Sequence, residues 1–423
     1  MPQTRPITFG RDISPLGQPL RQPTSRSPHI LVIGGGVVGL VSSWVLLDRG
    51  YRVTILSKAW VSDEQRLTSQ IAGALWEYPP AVCGQHTDAI SLAHSKRWCM
   101  IAYHMWDAIA SIPALSQESG VRMMPSDFFF FDKIEKDPRQ HSKMMEIMAS
   151  GVRGFYRGSD IIEDRGIDPS YGAVDAYELM APIIDTDKAM KWLTSLVQKK
   201  GATLVTETIE EDLVNIEDSL RARFNADVIV NCAGLQSQTL AGDQTVYPIR
   251  GGLIRVINDG TAFPKLNAAL TITADAAQSS NEIVFLVPRN DNILLIGGIT
   301  EAHKWNLDLT LESPIIRRMR ERCDNFLPGL KDARLDADYP LAQGLRPFRG
   351  SNVRVERELR RTGSKIVHSY GHGGAGWSLS FGCANDVAML VEETLAGVPA
   401  RPMEARLRGS RQFLTLVQFA SPV

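Results

Sequence analysis

A glycine-rich turn between two apolar runs, near the N-terminus, constrains the fold of this chain more than any other feature. The run "ILVIGG" at residues 30–35 is continuously apolar, which is typical of a parallel strand buried on both faces. A helical apolar spacing in "VVGLVSSWVLLDRG" follows it and ends at Gly50, and "YRVTIL" is a second strand-like run. A strand, turn, helix and strand in this order predict one βαβ unit with a right-handed crossover.

The turn has the spacing GxGxxG at Gly34, Gly36 and Gly39. In this motif the first glycine makes the tight turn, the second lets the backbone approach a pyrophosphate, and the third lets helix and strand pack closely. The phosphates then bind the free N–H groups at the start of the helix, where Val37 and Val38 stand. The motif in this setting predicts a dinucleotide site.

The end of the second strand lacks the residue type that usually distinguishes one dinucleotide from another. An acidic side chain usually stands there and binds the adenosine ribose, but this chain has Ser57 and Lys58. The hydroxyl of Ser57 can bind a ribose, whereas Lys58 would suit the 2′-phosphate of NADP. The motif alone therefore leaves NADP and FAD open.

Length and composition indicate a globular protein with more than one domain. The 423 residues exceed the size of about 250–300 residues at which single cores stop growing. A formal net charge of −1 provides no overall field for nucleic acid or an anionic membrane. No apolar run reaches the length of about 18 residues that a membrane span needs. We therefore expect neither a nucleic-acid partner nor a membrane partner.

The cysteines are odd in number and have no CxxC spacing, which argues against a disulfide framework or a zinc site. They are Cys83, Cys99, Cys232, Cys323 and Cys383. Free thiols fit a reducing compartment, and the scattered histidines suggest no metal site. We expect a cytoplasmic location, with the peroxisome as the alternative, although the C-terminal "SPV" differs from the SKL-type peroxisomal signal.

Local patterns also predict elements outside the first unit. Further strands are predicted at residues 202–206, 227–234, 251–257, 282–288 and 292–298, and helices at 86–109, 187–200, 313–325 and 383–396. Residues 1–28 contain many prolines and no apolar periodicity, so they are predicted to form a flexible leader, with a cleaved transit peptide as the alternative.

Two further stretches favour a flavin over a nicotinamide cofactor. "LTSQIAGALW" at residues 67–76 places small and hydroxylic residues just beyond the second strand, and "DVIVNCAGLQS" at 227–237 is a buried strand that ends in a glycine turn. Each could instead be purely structural, as a turn beside a half-buried tryptophan or as a core strand. The candidate cofactor contacts in these stretches are Thr68, Ser69, Gln70, Ala72, Gly73, Ala233 and Gly234.

With "YPIRGGLIRV" (247–256), "GLRPFRGSNVRVERE" (344–358) and "YGHGGAGWSLSFGCA" (370–384), these stretches resemble the D-amino-acid oxidase family, which includes D-aspartate oxidase. The resemblance implies an α/β fold in which a Rossmann-like FAD-binding domain is interleaved with an α+β substrate domain built on an antiparallel sheet. The implied division is a leader at 1–28, a discontinuous FAD-binding domain at 29–110, 186–245 and 336–423, and a substrate domain at 111–185 and 246–335.

The resemblance also implies roles for individual residues. Arg346 falls on the arginine that binds the substrate carboxylate as a bidentate pair. Asn281 and Phe285 stand where tyrosines are expected, which predicts an altered pocket. Arg346, Phe285 and Gly374 are the candidate catalytic residues. The flavin contacts implied near the C-terminus are Gly373, Gly374, Ala375, Gly376, Trp377 and Ser378.

The expected activity is an FAD-dependent oxidation of D-amino acids or related amines. Hydride would pass from the α-carbon to flavin N5, the imine would hydrolyse to a 2-oxo acid and ammonia, and molecular oxygen would be reduced to hydrogen peroxide. The alternatives are a biosynthetic FAD-dependent oxidase or dehydrogenase of a bulkier amine, a non-catalytic flavin-binding protein, and a nicotinamide dehydrogenase. His372 is predicted to be a loop histidine bonded to backbone. The oligomeric state stays open, with a homodimer as one option.

Overall fold

Two β-sheets organise the computed structural model, which describes residues 6–81, 86–272 and 283–402. Cys83 and Asn281 lie outside these residues. The strands in chain order are β1 (His29–Ile33), β2 (Arg52–Ser57), β3 (Val121–Phe130), β4 (Tyr156–Arg157), β5 (Asp175–Ile184), β6 (Thr203–Thr206), β7 (Val228–Asn231), β8 (Val246–Ile257), β9 (Ala269–Ile272), β10 (Val284–Pro288), β11 (Ile293–Gly297), β12 (Glu301–Ala302), β13 (Leu341–Arg349), β14 (Arg354–Arg357) and β15 (Ile366–Tyr370).

Helices cover the sheets and connect their strands. In chain order they are α1 (Val37–Asp48), α2 (Thr68–Ile71), α3 (Ala89–Ala110), α4 (Pro113–Ser119), α5 (Pro138–Ala149), α6 (Asp160–Asp164), α7 (Thr186–Lys199), α8 (Leu213–Phe224), α9 (Ser237–Leu240), α10 (Pro314–Phe326) and α11 (Gly376–Leu395). Short 3₁₀ turns lie at Ile134–Lys136, Pro169–Tyr171, Gly234–Gln236 and Pro328–Asp332.

The first sheet has the strand order β14-β15-β7-β1-β2-β6, in which all neighbours are parallel except β14 and β15. Its central strand β1 is buried on both faces, as its continuous apolar run predicts. Ile30 and Val32 belong to the core shared with α1, α3 and α11, whereas Leu31 and Ile33 belong to the core shared with α8. The carboxyl ends of the parallel strands therefore meet at one edge, with helices on both faces.

The long helices on one face of this sheet are packed unusually closely. A Cβ atom added at Gly382 in α11 would overlap the backbone of Trp98 in α3. The indole of Trp98 also donates a hydrogen bond of 2.8 Å to Asp386 in α11. The close approach explains why a glycine stands in the middle of a helix, where it costs about 1 kcal/mol relative to alanine.

The second sheet is mostly antiparallel and has the order β12-β8-β11-β10-β9-β3-β5-β4, with β13 pairing along the other side of β8. Residues directly opposite each other in such a ladder share a face. Arg346 on β13 lies opposite Ile249, and Phe285 on β10 lies opposite Gly297 and Thr271. The opposite face of β10 and β11 packs on α10, where Leu286 and Ile296 join the core.

The α/β fold class is confirmed, and most predicted elements are present with shifted ends. The predicted strand at 251–257 is the second half of β8, and the predicted helix at 383–396 is the second half of α11. The run Phe128–Phe131 belongs to β3 as far as Phe130, but burial ends at Phe129, and Phe131 is 40% exposed. The proposed division into domains stays a prediction.

The expectation of a flexible leader is wrong for residues 6–28, because they pack against α1 and α7. Ile13 is fully buried, and the backbone N–H groups of Ser14 and Leu20 donate to the carboxylate of Asp48 at 2.8 and 2.9 Å. Asp48 in turn forms an ion pair of 2.7 Å with Lys200, and both side chains are completely buried. Hydrogen bonds to the buried carboxylate of Asp48 on α1 thus fix residues 6–28 in place. The proline-rich sequence of these residues gives no sign of this distant partner.

In the described part of the chain, no helix combines the length and the apolar character that crossing a membrane requires.

Candidate active site

A cavity of about 790 Å³ opens between the carboxyl edge of the first sheet and one face of the second. Its size and mainly apolar lining are those of a ligand site. Of the residues predicted from the sequence, those that line it are Gly34, Gly36, Val37, Val38, Ser57, Lys58, Thr68, Ser69, Ala72, Gly73, Ala233, Gly234, Phe285, Arg346, Gly373, Gly374, Ala375, Gly376, Trp377 and Ser378. Gly39 and Gln70 do not line it.

The first glycine cluster forms the turn between β1 and α1. Gly34 has a φ of +123°, and a Cβ atom there would overlap the carbonyl oxygen of Cys232. A Cβ atom at Gly39 would overlap the carbonyl of Gly34, so Gly39 serves the packing of helix on strand. The N–H of Val37 donates to the hydroxyl of Ser69 at 3.1 Å, at the N-terminus of α1. The turn thus brings the positive end of a helix dipole to the cavity, with the N–H of Val37 itself bonded to Ser69.

The edge formed by β2 and β6 lies beside this turn. The Ser57 hydroxyl accepts from the N–H of Gly35 at 3.1 Å and donates to the carbonyl of Ala59 at 2.7 Å, so it braces the turn. Glu207 follows β6, lines the cavity, and donates its N–H to the carbonyl of Ser57 at 3.0 Å. A carboxylate is therefore present at this edge, although it comes from the neighbouring strand and is paired with Arg223.

The segment at residues 67–73 lies beside the glycine turn, since Ser69 accepts the hydrogen bond from Val37. Gln70 is 1% exposed, and its amide binds the carbonyl of Ser62 and the carboxylate of Asp187, each at 2.9 Å. Its side-chain oxygen accepts from the N–H of Leu67 at 3.1 Å. The hydrogen bonds of Gln70 thus stabilise the conformation of this segment on the side away from the cavity. Ser69 and Gly73 of the same segment line the cavity.

The turn after β7 presents Ala233 and Gly234 to the cavity. The side-chain oxygen of Asn231 accepts from the N–H of Ala233 at 3.1 Å and from the hydroxyl of Ser237 at 3.3 Å. The amide of Asn231 lies 3.2 Å from Nδ1 of the buried His368. A buried polar network thus fixes the shape of this turn.

The second glycine cluster reaches the cavity from the far end of the chain. Gly373 has a φ of +57° and donates its N–H to the carbonyl of Pro347 at 2.9 Å. Helix α11 begins at Gly376, seven residues before the predicted start, so Trp377 and Ser378 belong to its first turn. A second helix N-terminus therefore faces the cavity, which favours negative charge on a bound group.

His372 differs from the prediction that its ring bonds to backbone. The side chain is 3% exposed, and its Nε2 has no hydrogen-bond partner within the described ranges. Burial lowers the pKa of His372 to about 4. The ring is therefore a neutral imidazole near pH 7, and it lines the cavity beside the glycine loop.

Arg346, on β13, brings a positive charge to the cavity wall formed by the second sheet. One guanidinium nitrogen donates to the carbonyl of Ile299 at 3.1 Å. No carboxylate pairs with this guanidinium among the residues that the structure describes. A Cβ atom at Gly251 would overlap the guanidinium, so the glycine leaves room for it. The arrangement can bind an anion such as a carboxylate.

Phe285 forms part of an apolar wall next to Arg346. The ring lies against Gly73, where an added Cβ atom would come within 2.5 Å of it. Leu253 and Ile299 continue the same wall. Neither aliphatic residue was predicted from the sequence, although the alternation along β8, which places Gly251 and Leu253 on one face, could have indicated Leu253. Their character makes this part of the cavity suitable for an apolar group.

The described residues hold no cluster of three or more His, Cys, Asp or Glu side chains that could bind a metal. The cavity does fit an extended dinucleotide. Two helix N-termini face it, the first beside Gly34 and the second at Gly376, and side chains at Gly34 and Gly73 would collide with their surroundings. Glycine turns at both ends agree with FAD, whose pyrophosphate and flavin ring lie far apart.

Comparisons with known proteins agree with this geometry. The family model described as "DAO: FAD dependent oxidoreductase" matches residues 29–390. The D-amino-acid oxidase of Streptomyces coelicolor is 29% identical over 367 residues, which cover 86% of this chain and 97% of the relative. That of Rubrobacter xylanophilus is 28% identical over 368 residues, covering 86% and 96%.

Solved structures show the same fold at low sequence identity. A glycine oxidase from Bacillus cereus aligns with a TM-score of 0.64 and 17% identity, covering 89% of this chain and 99% of the other. An L-proline dehydrogenase from P. horikoshii aligns with a TM-score of 0.64 and 17% identity, covering 89% and 96%. The match of the family model over most of the chain, together with a cavity that joins both glycine clusters, shows that this protein belongs to the DAO family of FAD-dependent oxidoreductases.

Proposed function

We propose that this protein oxidises D-amino acids with neutral, apolar side chains. The Cα–H and N–H bonds together lose two electrons and two protons, so that the Cα–N bond becomes the double bond of an imine. Water hydrolyses the imine to a 2-oxo acid and ammonia, and molecular oxygen takes up the two electrons and two protons as hydrogen peroxide. Bound FAD supplies the two-electron acceptor for this reaction. The observation that carries the proposal is the guanidinium of Arg346, which faces the cavity without a carboxylate partner among the described residues.

Arg346 would bind the substrate carboxylate and thereby orient the α-carbon. A planar guanidinium matches a carboxylate in shape and charge, and a two-point contact fixes rotation as well as position. The carbonyl of Ile299 holds one side of the guanidinium, so the remaining N–H groups stay available for a ligand. The named activities of the Streptomyces and Rubrobacter relatives support the choice of an amino acid.

The apolar wall would receive the substrate side chain. Phe285 and Leu253 line the cavity on the same sheet as Arg346, and Ile299 borders it. An acidic side chain would need a second free cation, but the other cations of the described lining are Lys58, which directly follows β2 of the first sheet, and Arg66, which is paired with Asp187. A basic side chain would need a free carboxylate. The carboxylates that line the described cavity are Glu77 and Glu207, and both are already paired with cations.

The substrate amine would react as the neutral base. The described lining offers an ammonium group no free carboxylate, and burial beside Arg346 disfavours a second positive charge. His372 carries no charge near pH 7 because its pKa is lowered to about 4. The chain's own contribution is therefore to hold the carboxylate, exclude the ammonium form and place backbone donors at the glycine loop.

An anaerobic flavin assay with stereoisomer pairs tests the proposal. FAD-loaded protein should bleach with D-valine or D-methionine, bleach far more slowly with D-aspartate or D-lysine, and not bleach with the L-isomers. Admission of oxygen should restore the flavin absorbance and release hydrogen peroxide. Equal bleaching by both stereoisomers, or by a simple amine without a carboxylate, would contradict the proposal.

The Arg346→Met variant tests whether Arg346 binds the substrate carboxylate. Loss of a charge-assisted contact of about 3 kcal/mol lowers kcat/KM about a hundredfold, while the affinity for FAD stays unchanged. A substrate without a carboxylate should react equally with both proteins. An unchanged kcat/KM for D-valine would show that Arg346 does not bind the substrate carboxylate.

A second candidate is an oxidase or dehydrogenase of a bulkier amine. Phe285 favours it, because this ring makes the wall less polar than a tyrosine would. Faster bleaching by cyclic or N-alkylated amino acids than by D-valine would support it. Failure of oxygen to restore the flavin would point to another electron acceptor, and no bleaching by any of these compounds would leave a flavin-binding protein without this activity.

A further inference from the structure

Arg289 is a buried cation that the proposed reaction does not use. Its side chain is 2% exposed, and no carboxylate lies within ion-pair distance of it in the described part of the chain. Burial lowers the pKa of Arg289 to about 10, so the guanidinium stays charged near neutral pH. A buried charge without a counter-ion is costly unless hydrogen bonds replace its lost water.

The guanidinium joins three separate parts of the fold. It donates to the carbonyl of Ile184 at 2.9 Å, to the hydroxyl of Thr186 at 2.6 Å, and to the carbonyl of Ala72 at 2.6 Å. Thr186 links Arg289 to Gln70, because its hydroxyl accepts from the guanidinium and donates to the carbonyl of Gln70. The carbonyls of Gln70 and Ala72 are thus both held from the side of Arg289, directly and through Thr186.

The hydrogen bond from Arg289 to the carbonyl of Ala72 fixes the orientation of the peptide group between Ala72 and Gly73. Both residues line the cavity. In a planar trans peptide, the N–H points opposite to the carbonyl. With the carbonyl of Ala72 bound to Arg289, the N–H of Gly73 is directed away from the guanidinium. That N–H has no partner among the residues described by the structure. It is a backbone donor available to a bound group.

The strand that precedes Arg289 contacts the same segment a second time. Phe285, near the start of β10, lies against Gly73, and Arg289 directly follows the last residue of β10. The substrate-side sheet thus contacts residues 72–73 through an aromatic ring and through a charged hydrogen bond. Both contacts come from one strand.

We propose that Arg289 is a positioning residue for FAD. Its guanidinium, together with Thr186, holds the Ala72–Gly73 peptide so that the N–H of Gly73 is presented to the cofactor. It also fixes the position of this segment relative to β10, the strand that contains Phe285. Arg289 does not line the cavity and acts only through the segment.

Affinity for FAD, measured on apoprotein by quenching of flavin fluorescence, tests the proposal without reference to substrate. Arg289→Met should raise the Kd of FAD about tenfold or more, since a charged hydrogen bond is lost. Arg289→Lys should recover part of this loss, because an ammonium group can reach one carbonyl but lacks the fork. Thr186→Val should raise the Kd in the same direction, and the double variant should be less than additive.

Two variants control for a general loss of stability. Arg357→Met removes a guanidinium that is 4% exposed and donates to Val398, and Thr394→Val removes a buried hydroxyl in α11 that donates to Leu390. Both should lower the unfolding temperature of the apoprotein and leave the Kd of FAD unchanged.

Thr186→Val, a change of similar volume, keeps the test decisive if Arg289→Met does not fold. An unchanged Kd of FAD in folded Thr186→Val would overturn the proposal. An equal rise of the Kd in the Arg357→Met control would overturn it as well.

Discussion

The indole N–H of Trp377 donates a hydrogen bond of 2.9 Å to the backbone carbonyl of Ser69. The two residues belong to the first turn of α11 and to the segment after β2, and both line the cavity. The last long helix is thereby attached to a segment that the chain formed some 300 residues earlier.

This bond should contribute to cofactor binding. Trp377→Phe keeps most of the apolar contact but loses the donor, at a cost of about 1 kcal/mol, so the Kd of FAD should rise about fivefold. Trp76→Phe is the matched control, since its buried indole donates to Cys99 at 3.1 Å and it does not line the main cavity. Titration of apoprotein with FAD checks this, and equal affinities of both variants would refute it.

Gly251→Ala should weaken substrate binding while FAD binding stays intact. The new methyl group would overlap the guanidinium of Arg346, which must then move from its place in the cavity wall. We expect KM for D-valine to rise on the order of tenfold or more. Gly329→Ala is the control, because a Cβ atom there meets Phe263 at an ordinary 3.6 Å. Steady-state kinetics that show no change in KM would be evidence against this geometry.

The buried His372 should make stability depend on pH. Its pKa of about 4 in the folded state lies below the ordinary value of 6.5. The unfolded chain therefore takes up the proton first, and stability falls as pH drops from about 6.5 to about 4, by up to about 3 kcal/mol. The loss should be smaller in His372→Gln, whereas the exposed His104→Gln should follow the wild type.

Urea unfolding of the apoproteins at pH 7 and pH 5 checks the expectation for His372. His368 shifts in the same direction, with its pKa lowered to about 4, so His372→Gln should retain part of the pH dependence. Identical losses in His372→Gln and wild type would contradict the expected role of burial.

The ion pair between Lys200 and Asp48 should stabilise the packing of residues 6–28. Lys200→Met leaves the carboxylate of Asp48 buried without its cation, which should cost about 3–5 kcal/mol. The neighbouring Lys199→Met changes an exposed side chain and should have an effect within about 0.5 kcal/mol. Chemical denaturation gives both values, and limited proteolysis should cut residues 6–28 faster only in Lys200→Met.

Local patterns were sufficient for the βαβ unit because its determinants are adjacent in sequence. The apolar run, the glycine turn and the helical spacing between residues 30 and 56 contain all the contacts that define it. The same holds for the two glycine clusters, whose backbone requirements are visible in the residue type itself.

Elements that depend on distant partners were predicted less well. The first half of β8 was missed, because residues 246–250 pair with residues 345–349 of β13. The first turns of α11 contain Gly376 and Gly382, which favour a loop by propensity, yet Gly382 is needed where Trp98 approaches. Gln70 resembled a cofactor contact, but its partner Asp187 is 117 positions away.

The hydrogen bond from Gly373 to the carbonyl of Pro347 has a mechanical consequence. Pro347 is the next residue after Arg346, so the charge that would hold a substrate and the loop that would hold a flavin are joined by a few covalent bonds and one hydrogen bond of 2.9 Å. Their separation is therefore set locally along β13. A bend of one sheet relative to the other that keeps this hydrogen bond would carry both groups together and would preserve the spacing between reacting partners.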